Sequence, residues 1–107
     1  MVKTIIGDLL EAKEQYIAHQ CNCVSKGSAG LAYFLFKQFP YANIYQMRTS
    51  HSIPGTIHIA GDGIDNRYVI NMFSQYYPGH YFDYYTNDNY DIRKHYFYKC
   101  LTNIANI

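Results

Sequence analysis

Apolar residues in this chain fall into four short β-rich runs bounded by turn residues and into three stretches with helical spacing. Val2–Ile6 predicts a first strand stopped by Gly7-Asp8, followed by a turn with a short helical piece over Leu9–Glu14. Gln15–Gln20 reads as a buried strand that runs into a polar, small-residue segment, Asn22–Gly30. Leu31, Phe34, Leu35 and Phe39 then predict an amphipathic helix, with Ser28 as its N-cap and Pro40 as its stop. Tyr41–Arg48 is a second helical candidate, and 52–55 reads as a loop. Thr56–Ala60 and Tyr68–Phe73 predict two strands joined by the turn-rich residues 61–67, and 74–89 reads as an irregular aromatic loop. Across Asp91–Ile104, Ile92, Tyr96, Cys100 and Ile104 share one helical face, flanked by Phe97 and Leu101. This order predicts one α/β domain over residues 1–107, three layers around a mixed sheet.

Composition narrows the class. With 107 residues, 49% hydrophobic and 16% charged, the chain suits one globular core and not a disordered segment. A net charge of +1 argues against a nucleic-acid module held by a basic face. It leaves room for a small anion, because backbone amides hold phosphate without formal charge. No run approaches the roughly 20 apolar residues of a membrane span. The N-terminus reads as strand and turn, not as a secretion signal, so a cytoplasmic, intracellular protein is expected. Three cysteines cannot all pair within one monomer. Cys21 and Cys23 are expected to point to opposite faces of a strand end as reduced, structural or loop-lining thiols. No second Cys/His pair completes a zinc site, so no metal and no cofactor are expected.

The segment from His19 to Ala32 carries the candidate chemistry. Glycines and small residues lie here between a buried strand and a helix start. Glycine lets another group approach the backbone, and the helix N-terminus offers unpaired N–H groups with a partial positive charge. Together these make an anion site. On composition alone that reading and an ordinary strand-to-helix connection stand level, because the loop is neither a Walker sequence nor a dinucleotide fingerprint.

Several pieces of the chain, taken in order, resemble a macro domain. They are Gly7-Asp8-Leu9-Leu10 after the first strand, then Ile17-Ala18-His19-Gln20-Cys21-Asn22-Cys23, then the Gly27–Ala32 junction. Val69–Gln75 and the Tyr90–Leu101 helix extend the match. Its H-x-C-N-C and G-x-x-G-x-A elements are similar to the branch of yeast-type ADP-ribose-1″-phosphate phosphatases. The resemblance implies that Asp8, with Leu9 beside it, meets the adenine amine, and that Asn22 reaches the distal ribose. It implies His19 as a general acid or base acting with Asn22. Lys26, Gly27, Ala29 and Gly30 would form the phosphate loop, and Phe73, Gln75 and Tyr76 would flank the ligand. Tyr76 or Tyr77 stacks on adenine or covers the core. Gln75 stands near where a related branch carries a catalytic lysine, so that lysine-dependent mechanism is not expected.

A whole macro domain adds a further strand, a second glycine-rich loop and a final helix beyond the helix at Asp91–Ile104. The resemblance therefore implies a macro-like fold truncated at its C-terminal end, with one sheet edge open. A homodimer across that edge is the protein partner this suggests. Two functional readings follow. One is binding of ADP-ribose or a derivative, with hydrolysis of ADP-ribose-1″-phosphate or an ADP-ribosyl bond as its activity. The alternative is an inactive macro-like module that sequesters a ligand or contacts another protein through its tyrosine-rich loop.

Overall fold

A computed structural model describes residues 15–107. The expected first strand, the turn after it, and the candidates Asp8 and Leu9 lie outside the described residues. Among the described residues three strands form one sheet: β1 (Tyr16–Asn22), β2 (Ile57–Ala60) and β3 (Tyr68–Gln75), in the order β1-β3-β2. The central strand β3 runs parallel to β1 and antiparallel to β2. Its side chains are buried continuously from Val69 to Ser74, as a strand covered on both faces requires. In β1 the pattern alternates instead: Ile17, His19 and Cys21 are buried, while Tyr16, Ala18 and Gln20 are exposed.

Helices cover both faces. Helix α1 (Gly30–Gln38) and the short α2 (Ile44–Met47) close over Ile17, Cys21, Val69 and Phe73 with Leu35, Phe36 and Tyr45. Leu35 is fully buried, and its side chain contributes on the order of 1.5–3 kcal/mol to stability. On the opposite face, Ile70 and Met72 pack against Cys100, Phe97 and Ile104 of α3 (Tyr90–Ala105). Asn89 caps α3 by accepting from the Ile92 amide at 3.0 Å. Among the described residues the result is a small mixed α/β fold with a three-stranded mixed sheet and three helices.

Several details depart from the expectations. Helix α1 is capped at Ala29, without a side-chain hydrogen bond, and not at Ser28. Its buried stripe is Ala32, Leu35, Phe36 and the half-buried Phe39, while Leu31 and Phe34 are exposed. Both stripes are apolar at helical spacing, so spacing alone cannot choose between them. The second helix shrinks to four residues. Pro40 opens a 3-10 turn over Pro40–Ala42, and Asn43 then caps α2 by accepting from the Gln46 amide. Strand β3 reaches Gln75, two residues beyond its expected end. Cys21 and Cys23 do not diverge: both are buried in the same core cluster, Cys21 on β1 and Cys23 just past its end, since positions two apart along a strand share a face instead of opposing one another. The β2–β3 connector needs glycine at Gly61, where φ is +97° and a Cβ would sit 2.4 Å from the Arg67 carbonyl oxygen.

Candidate functional site

At the carboxyl ends of the parallel strands the register slips. Cys21 pairs with Phe73, but Asn22 pairs with Gln75. This irregularity separates the two chain exits, as a bulge does. A crevice of about 260 Å³ opens between them. One wall is the loop after β1, through Asn22, Ser25, Gly27 and Ala29; the other is the exit of β3, through Gln75, Pro78 and Gly79. Open α/β sheets bind ligands in such a place, outside the carboxyl ends of their strands. Helix α1 begins at this crevice, with Ala29 and Leu31 in its lining.

Each wall is anchored by one arginine. The Arg48 guanidinium donates through Nη1 to the Ser25 carbonyl at 3.0 Å and through Nη2 to the Asn22 carbonyl at 2.9 Å. Nη2 also donates to Ser52 Oγ at 3.1 Å, and the group lies over the Tyr45 and Phe73 rings. The Arg93 guanidinium holds the second wall, donating through Nη1 to the Gly79 carbonyl at 2.8 Å and through Nη2 to the Tyr77 carbonyl at 3.3 Å. Its Nε and Nη2 also grip the two oxygens of Asp88, at 2.6 and 2.8 Å. Burial alone would raise the Asp88 pKa. The Arg93 hydrogen bond, the Tyr77 amide and the Arg93 charge outweigh it, so the carboxyl is held below its usual value. Neither arginine stands out in the sequence. An Asp-Asn pair directly before a helix was the available signal, since Asp88 precedes the capping Asn89.

The loop after β1 is organised by Asn22. Its Oδ1 accepts from the Val24 and Ser25 amides at 3.0 and 2.8 Å, and its Nδ2 donates to the Tyr45 hydroxyl at 3.2 Å. The side chain lines the crevice, yet its polar atoms are engaged within the protein. Gln75 lies opposite, donating to the Tyr77 carbonyl at 2.9 Å.

His19 does not join this crevice. It is 5% exposed and belongs to a polar row that crosses the sheet beneath α1 and α2, with Asn71 as the register partner of both His19 and His58. His19 Nε2 meets Asn71 Oδ1 at 2.6 Å, and Cys21 Sγ approaches the same oxygen at 3.6 Å. Asn71 Nδ2 donates to the Ala42 carbonyl at 2.9 Å and lies 3.2 Å from His58 Nδ1. With the Asn71 amide so oriented, His19 must carry its proton on Nε2 and His58 must accept at Nδ1. Burial lowers the His19 pKa more than the Asn71 hydrogen bond raises it, and burial lowers that of His58. Burial pushes the Cys21 thiol up to about 12. In this geometry His19 packs edge-on to Phe36 in the core, apart from the crevice.

The other candidates scatter. Lys26 is exposed on the same loop and Gly30 is exposed at the start of α1, both outside the crevice lining. Phe73 is buried beneath Arg48. The Tyr76 hydroxyl meets His51 Nδ1 at 3.0 Å, and its ring packs against the core. Asn22, Gly27, Ala29 and Gln75 are the predicted residues that meet in the crevice. Among the described residues its lining carries no carboxylate, imidazole, ammonium or guanidinium, so the positive potential they supply comes from α1 and from backbone amides. Among the described residues, no helix is long and apolar enough to cross a membrane, and no group of three or more His, Cys, Asp or Glu could hold a metal ion. No family model, curated protein or solved structure matches the chain.

Proposed function

We propose that the crevice binds a phosphorylated small molecule of the ADP-ribose type, and that the fold is a macro-like one. The observation that carries this is the convergence of Asn22, Gly27, Ala29 and Gln75 at the start of α1, beside the carboxyl ends of β1 and β3. Binding is favoured over turnover. Among the described residues the crevice lining holds no carboxylate or imidazole to act as general acid or base, and His19 is engaged elsewhere. An intracellular setting belongs to the same proposal, supported by three free, buried cysteines.

Calorimetric titration of the chain with ADP-ribose tests it. Heat of binding without released phosphate or ribose product is the expected result. Gly27→Glu places a carboxylate in the loop at a position where a Cβ meets nothing within 4 Å, so the fold tolerates it. That variant is expected to bind about tenfold more weakly or worse. No heat with wild type, or equal binding by Gly27→Glu, would sink the reading. A second reading has its own observation. Phe82, Tyr84 and Tyr90 are exposed on the segment that leaves the Pro78-Gly79 wall, an aromatic ledge suited to a protein contact. Sizing in solution tests self-association by that ledge or by the edge of β1 that has no strand partner among the described residues, where a second copy would make a homodimer.

A further inference from the structure

Arg48 is a buried cation whose counter-charge is missing among the described residues. It is 8% exposed, yet the salt bridge formed among those residues is the one between Arg93 and Asp88. Two carbonyls, the Ser52 hydroxyl and two ring faces solvate it, and its buried Nε proton has no acceptor among the described residues. Buried polar groups are ordinarily satisfied, and a buried charge without an opposite charge is costly.

Arg48 also lines a second cleft, of about 380 Å³, on the segment that follows α2. That volume lies in the range of small-molecule sites, roughly 300–1,000 Å³. The lining is of two kinds. Thr49, Ser50, His51 and Ser52 bring hydrogen-bond donors and no carboxylate, while Ile44, Met47, Ile53 and Phe73 bring apolar surface. Ser52 is fixed in place because its amide donates to the Cys23 carbonyl at 2.9 Å. Its Oγ accepts from Arg48, which leaves the hydroxyl hydrogen for another acceptor. His51 engages Tyr76 through Nδ1, leaving Nε2 for a further partner.

We propose that this cleft is a binding site for a small oxyanion carried on an apolar body. Arg48 supplies the counter-charge and Ser52 a directed hydroxyl donor. The site is separate from the crevice, although Arg48 grips the loop that walls it. An anion held here would neutralise the guanidinium that fixes the Asn22 and Ser25 carbonyls.

Calorimetry on the whole chain with inorganic phosphate, phenyl phosphate and benzoate tests the proposal. At least one of the two aryl anions is expected to bind about tenfold more tightly than inorganic phosphate, because the ring buries against the apolar wall. Which of the two binds better identifies phosphate or carboxylate as the group recognised. Ser52→Glu brings a carboxylate to Arg48 from within the chain, so it should abolish binding while melting no lower than wild type. Met47→Glu puts the repelling charge at a residue that is 54% exposed, where the fold is not at risk, and should weaken the same ligands. Aryl anion binding should persist in Gly27→Glu, which acts on the crevice. No heat with any of the three anions overturns the proposal. So does binding lost in Gly27→Glu but kept in Ser52→Glu and Met47→Glu, and so does equal affinity for all three anions.

Discussion

Arg48 and Arg93 each grip the carbonyls of one crevice wall, but in opposite electrostatic settings. Arg93 is paired twice with Asp88, which is 1% exposed, and the same carboxylate also accepts from the Tyr77 amide. That wall is fixed by charges within the chain. Arg48 grips its wall with carbonyls, a hydroxyl and two aromatic faces, and with no carboxylate among the described residues. The planar fork explains why arginine serves in both places: it can hold two acceptors at once with defined geometry. The difference teaches that one wall is self-contained, while the other keeps a charge left unbalanced among the described residues, which a bound anion can meet.

The largest expected effect comes from breaking the paired side. Asp88→Ala leaves Arg93 without its partner and frees the Tyr77 amide, which should lower stability by about 3–5 kcal/mol in urea unfolding. The Asp88 carboxyl is held below its usual value, so its stabilisation is present above the unfolded-state value near 3.9 and is lost as pH falls through the folded value. Wild type should therefore weaken steeply below about pH 4, and Asp88→Ala should lack that segment of the curve. Arg48→Met should lower stability less, by about 1–3 kcal/mol, because the lost hydrogen bonds are offset by removal of an uncompensated buried charge. Equal losses in the two variants would erase the distinction between the walls.

The sequence located most elements but not these anchors. Long periodic segments such as α3 and the continuous apolar run of β3 were legible, because one or both of their faces must be buried. The α1 stripe was misplaced because Leu31 and Phe34 offer an apolar face equivalent in spacing to that of Ala32 and Leu35. Asn22, Gly27, Ala29 and Gln75 were legible as neighbours through the strand-loop-helix order and the resemblance. The separation of His19 from them was not. His19 faces Asn71 across a strand pairing between residues 52 positions apart, and no local pattern encodes that register. Arg48 and Arg93 act on carbonyls, and sequence says little about where a carbonyl points.

Gly30→Ala perturbs the Arg48 wall without touching Arg48. Gly30 has φ +58°, and an added Cβ would meet nothing within 4 Å, so the whole effect is backbone strain. A loss of about 1 kcal/mol is expected in urea unfolding, with Arg93-side probes unchanged. A gain in stability would mean that α1 begins in an ordinary helical conformation.

Mild acid gives the smallest effect and the sharpest separation of the two walls. His19 lies beneath α1, on the sheet face that carries the Arg48 wall, with Asn71, Cys21 and His58 beside it. Burial lowers the pKa of His19 and of His58, so the folded state binds fewer protons than the unfolded state below about 6.5. Their contribution is complete above that value and is lost as pH falls, the same sign as for Asp88 but beginning earlier. Between about pH 6.5 and pH 4 the loss should fall on the His19 side, while the Asp88–Arg93 pair stays intact. Amide-exchange protection, corrected for intrinsic rates at each pH, should therefore fall for residues 22–29 before it falls for residues 76–79. His19→Gln keeps a side-chain donor within the row but cannot titrate, so the early loss should shrink in that variant while the later one remains. Simultaneous loss in both loops would show that the two walls open as one unit, whatever their charges.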